Sequence, residues 1–270
     1  MTTAADAPPQ HRLPQRRAPR SHRPPPALAR FVLIGALLAA WHAAVVTGVV
    51  DRVTVPTPID CAARLLDVVG SGQFWADAWR SAQTTVAAFI AAASIGLLVG
   101  AQLARRPLLG RILEPYLVGA YAVPVIVFYP TLLVVMGLGA GPIIVTAFLS
   151  AVVPVLLTTT VAFGEQSSVH RKLARSLGCT PFQALRKITL PGTLPLLLPG
   201  LKLAFIFSMA STIGVEFIVA SAGLGFRVGE LYRGFETIDM YVHIVCIFVL
   251  ATLINQLFNV LERAVRRDLA

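Results

Sequence analysis

In 270 residues the chain carries 56% hydrophobic and only 13% charged side chains, with a mean hydropathy of +0.73. Soluble domains hold about 25% charged residues, so this composition excludes an ordinary globular protein and requires a membrane-embedded one. A net charge of +10 does not indicate nucleic acid here. The basic residues gather in the gaps between apolar runs, where they face the anionic cytoplasmic leaflet.

Residues 1–28 are rich in Pro, Arg and Ala, a composition that cannot bury a core and is expected to form a disordered basic tail. The apolar run from Phe31 to Val50 is long enough for a bilayer span and too long for a usual signal-peptide core, so an uncleaved first span is expected. The next stretch, 51–79, is more polar. A helix begins near Asp60, with Ala63, Leu66 and Val69 expected to share a face, and Trp75 and Trp79 suit a membrane interface. Further spans are expected over about 82–103, 113–138, 142–163, 196–220 and 241–261. The fold class is therefore all-α, a polytopic membrane protein of six spans.

Orientation follows from Lys and Arg. Flanks 1–30, 103–115, 164–195 and 262–270 hold 17 of them, whereas 51–79, 137–142 and 221–240 hold 4. By the positive-inside rule both termini are expected in the cytoplasm. Cys61, Cys179 and Cys246 are far apart and lack metal spacing, so neither a disulfide framework nor a zinc site follows.

The longest basic gap, Ser168 to Pro199, contains Arg171, Lys172, Arg175, Arg186 and Lys187. Ser168 is expected to cap a short helix over 169–177, with Gly178 as its left-handed stop. Thr180, Pro181 and Gln183 have the pattern of a capping box that starts a second helix, which Leu190-Pro191 is expected to end. A helix–turn–helix on the cytoplasmic face results, with Ala174 and Gly178 small enough for close approach by another surface.

These residues resemble the loop of ABC-importer inner-membrane permeases, whose pattern is E-A-A, three residues, G, nine residues, I, one residue, L-P. Ala174, Gly178, Ile188, Leu190 and Pro191 fall at the matching positions. The form ARSLG followed by L-P-x-x-L-P is similar to the nitrate, sulfonate, taurine and bicarbonate branch. So are VPTP after the first span, the proline-broken third span, and GVEFI with SAGLGF after the fifth. The resemblance implies a MetI-like, type I importer fold over 29–270 in the bacterial cell membrane, with 164–195 as the ATPase-coupling loop. It implies cytoplasmic ATPase subunits, a second permease copy (a homodimer) and an extracytoplasmic substrate-binding protein as partners. The implied cargo is a small anion such as a sulfonate or nitrate; a thiamine-precursor pyrimidine or another small organic solute is the alternative. The chain has no GxxxxGK[ST], so it is expected to be no enzyme and to need no cofactor, ATP being used by the partner. One departure stands out: Lys172 replaces the family's Glu and Leu173 its first Ala. A charge reversal there favours an acidic partner surface.

Within the spans, Glu216 is costly unless it meets a partner or a wet cavity. It belongs either to an outer gate or to an interface with the 221–240 loop. Pro124 and Pro130 free backbone carbonyls in the third span, which suits either a lined conduit or a packing kink. Tyr121, Phe128 and Tyr129 lie beside them. Gly223-Leu224-Gly225 lacks the strand of a nucleotide fingerprint and is expected to form a tight turn that dips back into the pathway. Lys202 is expected to snorkel, Arg80 to anchor at the outer interface, His42 and His243 to be satisfied polar residues, and 227–239 to be a solvated helix of mixed charge. Three rival readings remain open: a transporter working without ATP; an intramembrane enzyme, for which no convincing Ser–His or paired-Asp site is present; and an interaction scaffold, which would not need two prolines in a central span.

Overall fold

The computed structural model describes residues 26–268, excepting the side chains at 26–30, 165–172, 185 and 266–268. The basic tail lies outside the described residues as far as residue 25, and Pro26 already opens a helix. Among the described residues all regular structure is helical. The order is α1 (Pro26–Val46), α2 (Pro58–Gly70), α3 (Gly72–Arg105), α4 (Pro107–Ala122), a 3-10 turn (Val125–Phe128), α5 (Tyr129–Met136), α6 (Ala140–Ser176), α7 (Pro181–Ala184), a π turn (Leu185–Thr189), α8 (Leu190–Val219), α9 (Leu224–Arg233) and α10 (Thr237–Asp268).

Four helical stretches are long and apolar enough to cross a membrane: 72–105, 140–164, 181–233 and 237–265. A fifth forms if α4 and the 125–136 segment, bent by 77°, count as one broken span. Pro124 causes the bend, since it is held extended and cannot continue α4, whereas Pro130 sits in the first turn of α5, where no backbone N–H is required. The apolar part of α1, Phe31–Val46, is shorter than expected. At 1.5 Å per residue it covers about 24 Å, against a hydrocarbon core of about 30 Å.

The centre of the bundle is α3, α6 and α8 packed through small residues. Ala88, Ala92, Gly96 and Gly100 are buried on α3, Ala147 and Ala151 on α6, and Gly200, Ala204, Ser208 and Thr212 on α8. Small side chains let helix backbones approach closely where lipid offers no hydrophobic drive to associate. A Cβ at Gly96 would lie 2.7 Å from Val155 Cβ, and one at Gly100 would lie 2.6 Å from Thr159 Cβ. Those pairs ascend together, so α3 and α6 run parallel. Gly200 meets Thr158, while Ser211 meets Ser150 across 3.3 Å, so α8 runs antiparallel to both. On the far side of α8, Lys202 Nζ donates to Asn259 Oδ1 at 2.6 Å and Phe205 packs on Phe258. That fixes α10 antiparallel to α8 and pins Lys202 to a neighbouring helix.

This packing sorts the charged connections. The 103–115, 164–195 and 262–268 segments gather at one end of the bundle, and 71–77, 137–142 and 220–240 at the other. A Cβ at Gly200 would land on Thr158 Oγ1 and 2.7 Å from its Cβ. Gly200→Val is therefore expected to cost about 1–3 kcal/mol through overpacking. Thr158→Ala in the same chain should recover part of the loss in a thermal melt of the purified protein. An unchanged melt for Gly200→Val alone would show that the two helices are not in this contact.

Three expectations about local structure are corrected. No helix starts at Ser168: α6 runs unbroken to Ser176 because nothing between Gly164 and Gly178 interrupts it. Nor does Leu190-Pro191 end a helix, since Pro191 lies in the first turn of α8 and Pro195 and Pro199 lie inside it. The widened π turn just before Pro191 accommodates the ring and the missing N–H. In α2 the buried positions are Cys61 and Val68 with Leu65 beside them, whereas Leu66 is 81% exposed. That face packs on α10; of the residues expected to share it, Val69 does and Ala63 and Leu66 do not. Its start is a capping box between Thr57 and Asp60. Thr57 first, then Arg52, holds the Asp60 carboxyl below its ordinary value. The small stability this gives is present above the ordinary carboxylate range and is lost as pH falls through the depressed value.

Candidate functional site, a buried carboxylate latch and a basic loop

At the end of the bundle opposite the basic loop, Glu216 is 1% exposed and held chiefly through one carboxylate oxygen. Ser81 Oγ donates to Glu216 Oε2 at 2.6 Å, the Gly225 N–H donates to the same oxygen at 3.1 Å, and Thr84 Oγ1 reaches Oε1 at 3.5 Å. Ser81 Oγ in turn accepts from the Leu224 N–H at 2.8 Å. One carboxylate thus ties the last turn of α8 to α3 and to the opening of α9. Of the two readings for Glu216, the contact with the 220s segment is the geometry found.

Glycine is required on both sides of this latch. Gly223 has φ +111°, and a Cβ there would sit 2.5 Å from the Glu216 carboxyl carbon. A Cβ at Gly225 would collide with the Ile213 carbonyl oxygen and lie 2.7 Å from Glu216 Cβ. The SAGLGF segment is therefore a close-packed hairpin of α9 back onto α8. Next to it Arg227 Nε donates to Asp77 Oδ2 at 3.0 Å and the Gly223 N–H reaches Asp77 Oδ1 at 3.4 Å. Arg227 also pairs with Glu230. The 227–239 stretch is consequently not the free solvated helix expected: Leu224, Val228 and Leu231 are buried, and Arg227 is spent on a buried aspartate. Further out, Arg64 bridges α2 to Asp239 of α10 at 2.7 Å, which raises its guanidinium above the ordinary value.

Asp77, Ser81 and Thr84 were missed in the sequence. Their signal was a 4-then-3 spacing of polar residues on one face of an otherwise apolar helix, followed by the buried small residues of α3. Tyr129, 4% exposed, packs with Ile143 and Val215 beside the latch. Pro124 and Pro130 are exposed and make no part of it; they shape the bend that presents Tyr129. Tyr121 stacks edge-on against Phe207 of α8. His243 is satisfied through the Asp239 carbonyl at 2.8 Å, whereas His42 Nδ1 has no partner among the described residues. Among the described residues no cluster of His, Cys, Asp or Glu could hold a metal ion.

At the basic end, Gly178 has φ +63° and closes α6 as a Schellman motif: the Cys179 N–H donates to Ala174 O at 3.0 Å and the Gly178 N–H to Arg175 O at 3.2 Å. Thr180 and Gln183 then exchange capping bonds of 3.0 and 3.3 Å. Ala174 is buried, Ile188 and Pro191 are half-buried, and Leu173, Leu177, Phe182 and Leu190 are exposed at 46%, 63%, 69% and 45%. The Lys172 side chain lies outside the described residues. Arg175, Arg186 and Lys187, all exposed, alternate with these apolar residues along the chain. Exposed apolar side chains interspersed with cationic ones have the composition of a protein-docking surface.

Comparison with known proteins agrees with this arrangement. The family model described as binding-protein-dependent transport system inner membrane component matches residues 92–267. The taurine transport system permease protein TauC of Escherichia coli is 26% identical over 235 residues, covering 85% of this chain and 86% of TauC. The riboflavin transport system permease protein RibX of Chloroflexus aurantiacus is 26% identical over 242 residues and 90% of both chains. Among solved structures, the inward-facing MetNI methionine ABC transporter in its native crystal form superposes with a TM-score of 0.59 at 24% identity, covering 69% of this chain and 93% of that one. With apolar helices to cross a membrane, no strands among the described residues and a family match over most of its length, the chain belongs to the binding-protein-dependent transport system inner-membrane components, the permease subunits of ABC importers.

Proposed function

We propose that this chain forms one half of the translocation pathway of an ATP-driven importer for a small anion. Two copies pair in the bacterial inner membrane, each with six spans and cytoplasmic termini. An ATPase subunit docks on the 164–195 loop, and an extracytoplasmic protein delivers the cargo at the opposite end. The observation that carries this reading is the exposure of Leu173, Leu177, Phe182 and Leu190 in a stretch that also exposes Arg175, Arg186 and Lys187, held between two long helices. A chain that moved solute unaided would have no use for such a surface. Because α6 is continuous from Ala140 to Ser176, force applied at this loop reaches the latch end of the bundle through one helix. Rocking of packed helices between two arrangements then suffices for alternating access.

An anion is favoured by the likeness to the taurine permease; the likeness to the riboflavin permease supports a larger organic solute as the alternative. The test is uptake by proteoliposomes that contain the chain with its co-expressed ATPase and binding protein, using labelled taurine and nitrate, with riboflavin for comparison. Uptake of an anion only with ATP inside and binding protein outside is the expected result. Equal uptake without the ATPase would make the chain an autonomous transporter.

A further inference from the structure

Beside the latch, a cleft of about 40 Å³ is bounded by Arg80, Thr84, Tyr129, Gly139, Ala140 and Ser221. Three features converge on it. Arg80 is exposed and, like Arg233 at the same end, makes no ion pair or side-chain hydrogen bond among the described residues, whereas Arg52, Arg64 and Arg227 are paired. Tyr129 is buried, yet its hydroxyl has no partner among the described residues. And α6, a helix of 37 residues, opens on Gly139 without any side-chain cap. Its first N–H groups and the positive end of its dipole are therefore left for some other acceptor. An unpaired guanidinium, a spare hydroxyl and an uncapped helix start form a donor set that lacks its acceptor.

The carboxylate nearest this cleft does not fill the gap. Glu216 contributes to the cleft wall and forms no ion pair with Arg80; its Oε2 is taken up by Ser81 and the Gly225 N–H, while its Oε1 meets only Thr84 Oγ1 at 3.5 Å. The cleft has room for a few atoms, which suits a charged headgroup more than a whole solute. It lies at the end of the bundle remote from the basic loop, where the bend after Ala122 brings Tyr129 against α6 and α8.

We infer that Arg80, the Tyr129 hydroxyl and the N-terminus of α6 form an anion subsite that receives the sulfonate-, nitrate- or carboxylate-class headgroup of the cargo as it leaves the binding protein. This deepens the importer reading and rests on it. The permease thereby takes a share in selectivity instead of leaving all of it to the delivering protein. A lipid phosphate has the same chemistry, so the test separates the two sources.

Equilibrium dialysis of the purified permease–ATPase complex against labelled taurine, nitrate and sulfate, in detergent and without binding protein, measures the subsite directly. Saturable binding of at least one of these anions is expected. Arg80→Gln should weaken it tenfold or more, and Arg80→Lys should stay within about threefold of the unsubstituted chain. Should Arg80→Gln fail to assemble, Tyr129→Phe, which removes a single oxygen, should weaken binding at least threefold. The same dialysis in nanodiscs containing phosphatidylglycerol should give unchanged binding. Absence of saturable anion binding, equal binding by the assembled Arg80→Gln or Tyr129→Phe complex, or binding abolished by phosphatidylglycerol would each overturn the subsite. None of these outcomes touches the importer reading, which stands or falls on ATP-dependent anion uptake.

Discussion

Glu216→Ala is expected to loosen the end of the bundle opposite the basic loop by about 2–4 kcal/mol, the sum of a small cavity and of buried donors left without an acceptor. Ser81 Oγ and the Gly225 N–H both lose their partner, and Ser81 is then free to turn away from the Leu224 N–H it also serves. Glu216→Gln keeps a carbonyl oxygen for Gly225 and should lose less than half as much. Amide hydrogen exchange at Leu224 and Gly225 provides the readout. Exchange should rise by about 30- to 900-fold in the alanine variant, while amides in the middle of α3 change little. Unchanged protection at those two amides would mean that the α8–α9 hairpin holds itself closed without the carboxylate.

Much of this end of the molecule was legible in the residues and some was not. GVEFI and SAGLGF announced a tight structure after the fifth span, and a lone acid in an apolar run announced a partner. Its partners stayed hidden because serine and threonine are common in membrane helices and carry no charge to count. Asp77 sat in a segment that read as interfacial, beside Trp75 and Trp79, so its role in binding Arg227 could not be seen without the fold. Likewise, apolar length located α3, α6, α8 and α10, but hydropathy carries no information on where a helix continues into water. The stretch after Gly164 turns polar and basic while retaining good helix formers, so α6 projects well beyond the apolar run. Gly178 and the Thr180–Gln183 box were readable because left-handed stops and caps depend on local chemistry alone.

The second large effect is expected at the basic loop. Leu177 and Phe182 are among its most exposed apolar residues and flank the Gly178 turn. Burying such a side chain in an interface contributes about 1.5–3 kcal/mol, which corresponds to about 10- to 100-fold in affinity. Leu177→Asp and Phe182→Asp should therefore each reduce co-purification of the ATPase and ATP-driven uptake at least tenfold. Both residues face solvent in this chain, so its own melting temperature should hold within a few degrees. Gly178→Val acts differently, since a β-branched residue at φ +63° is strained by about 1–2 kcal/mol and should fray the end of α6. Full uptake in the two aspartate variants would remove these side chains from any docking surface.

The account rests on the ATPase meeting this chain at its basic end. Single-cysteine variants Phe182→Cys, in the loop, and Phe235→Cys, between α9 and α10 at the opposite end and 83% exposed, test that contact when treated with a short bifunctional thiol reagent in the assembled transporter. The three native cysteines are first replaced by serine or alanine in a background shown to retain uptake. The account predicts an ATP-sensitive cross-link to the ATPase from position 182 and none from position 235. A cross-link to the ATPase from position 235, with none from position 182, would contradict it.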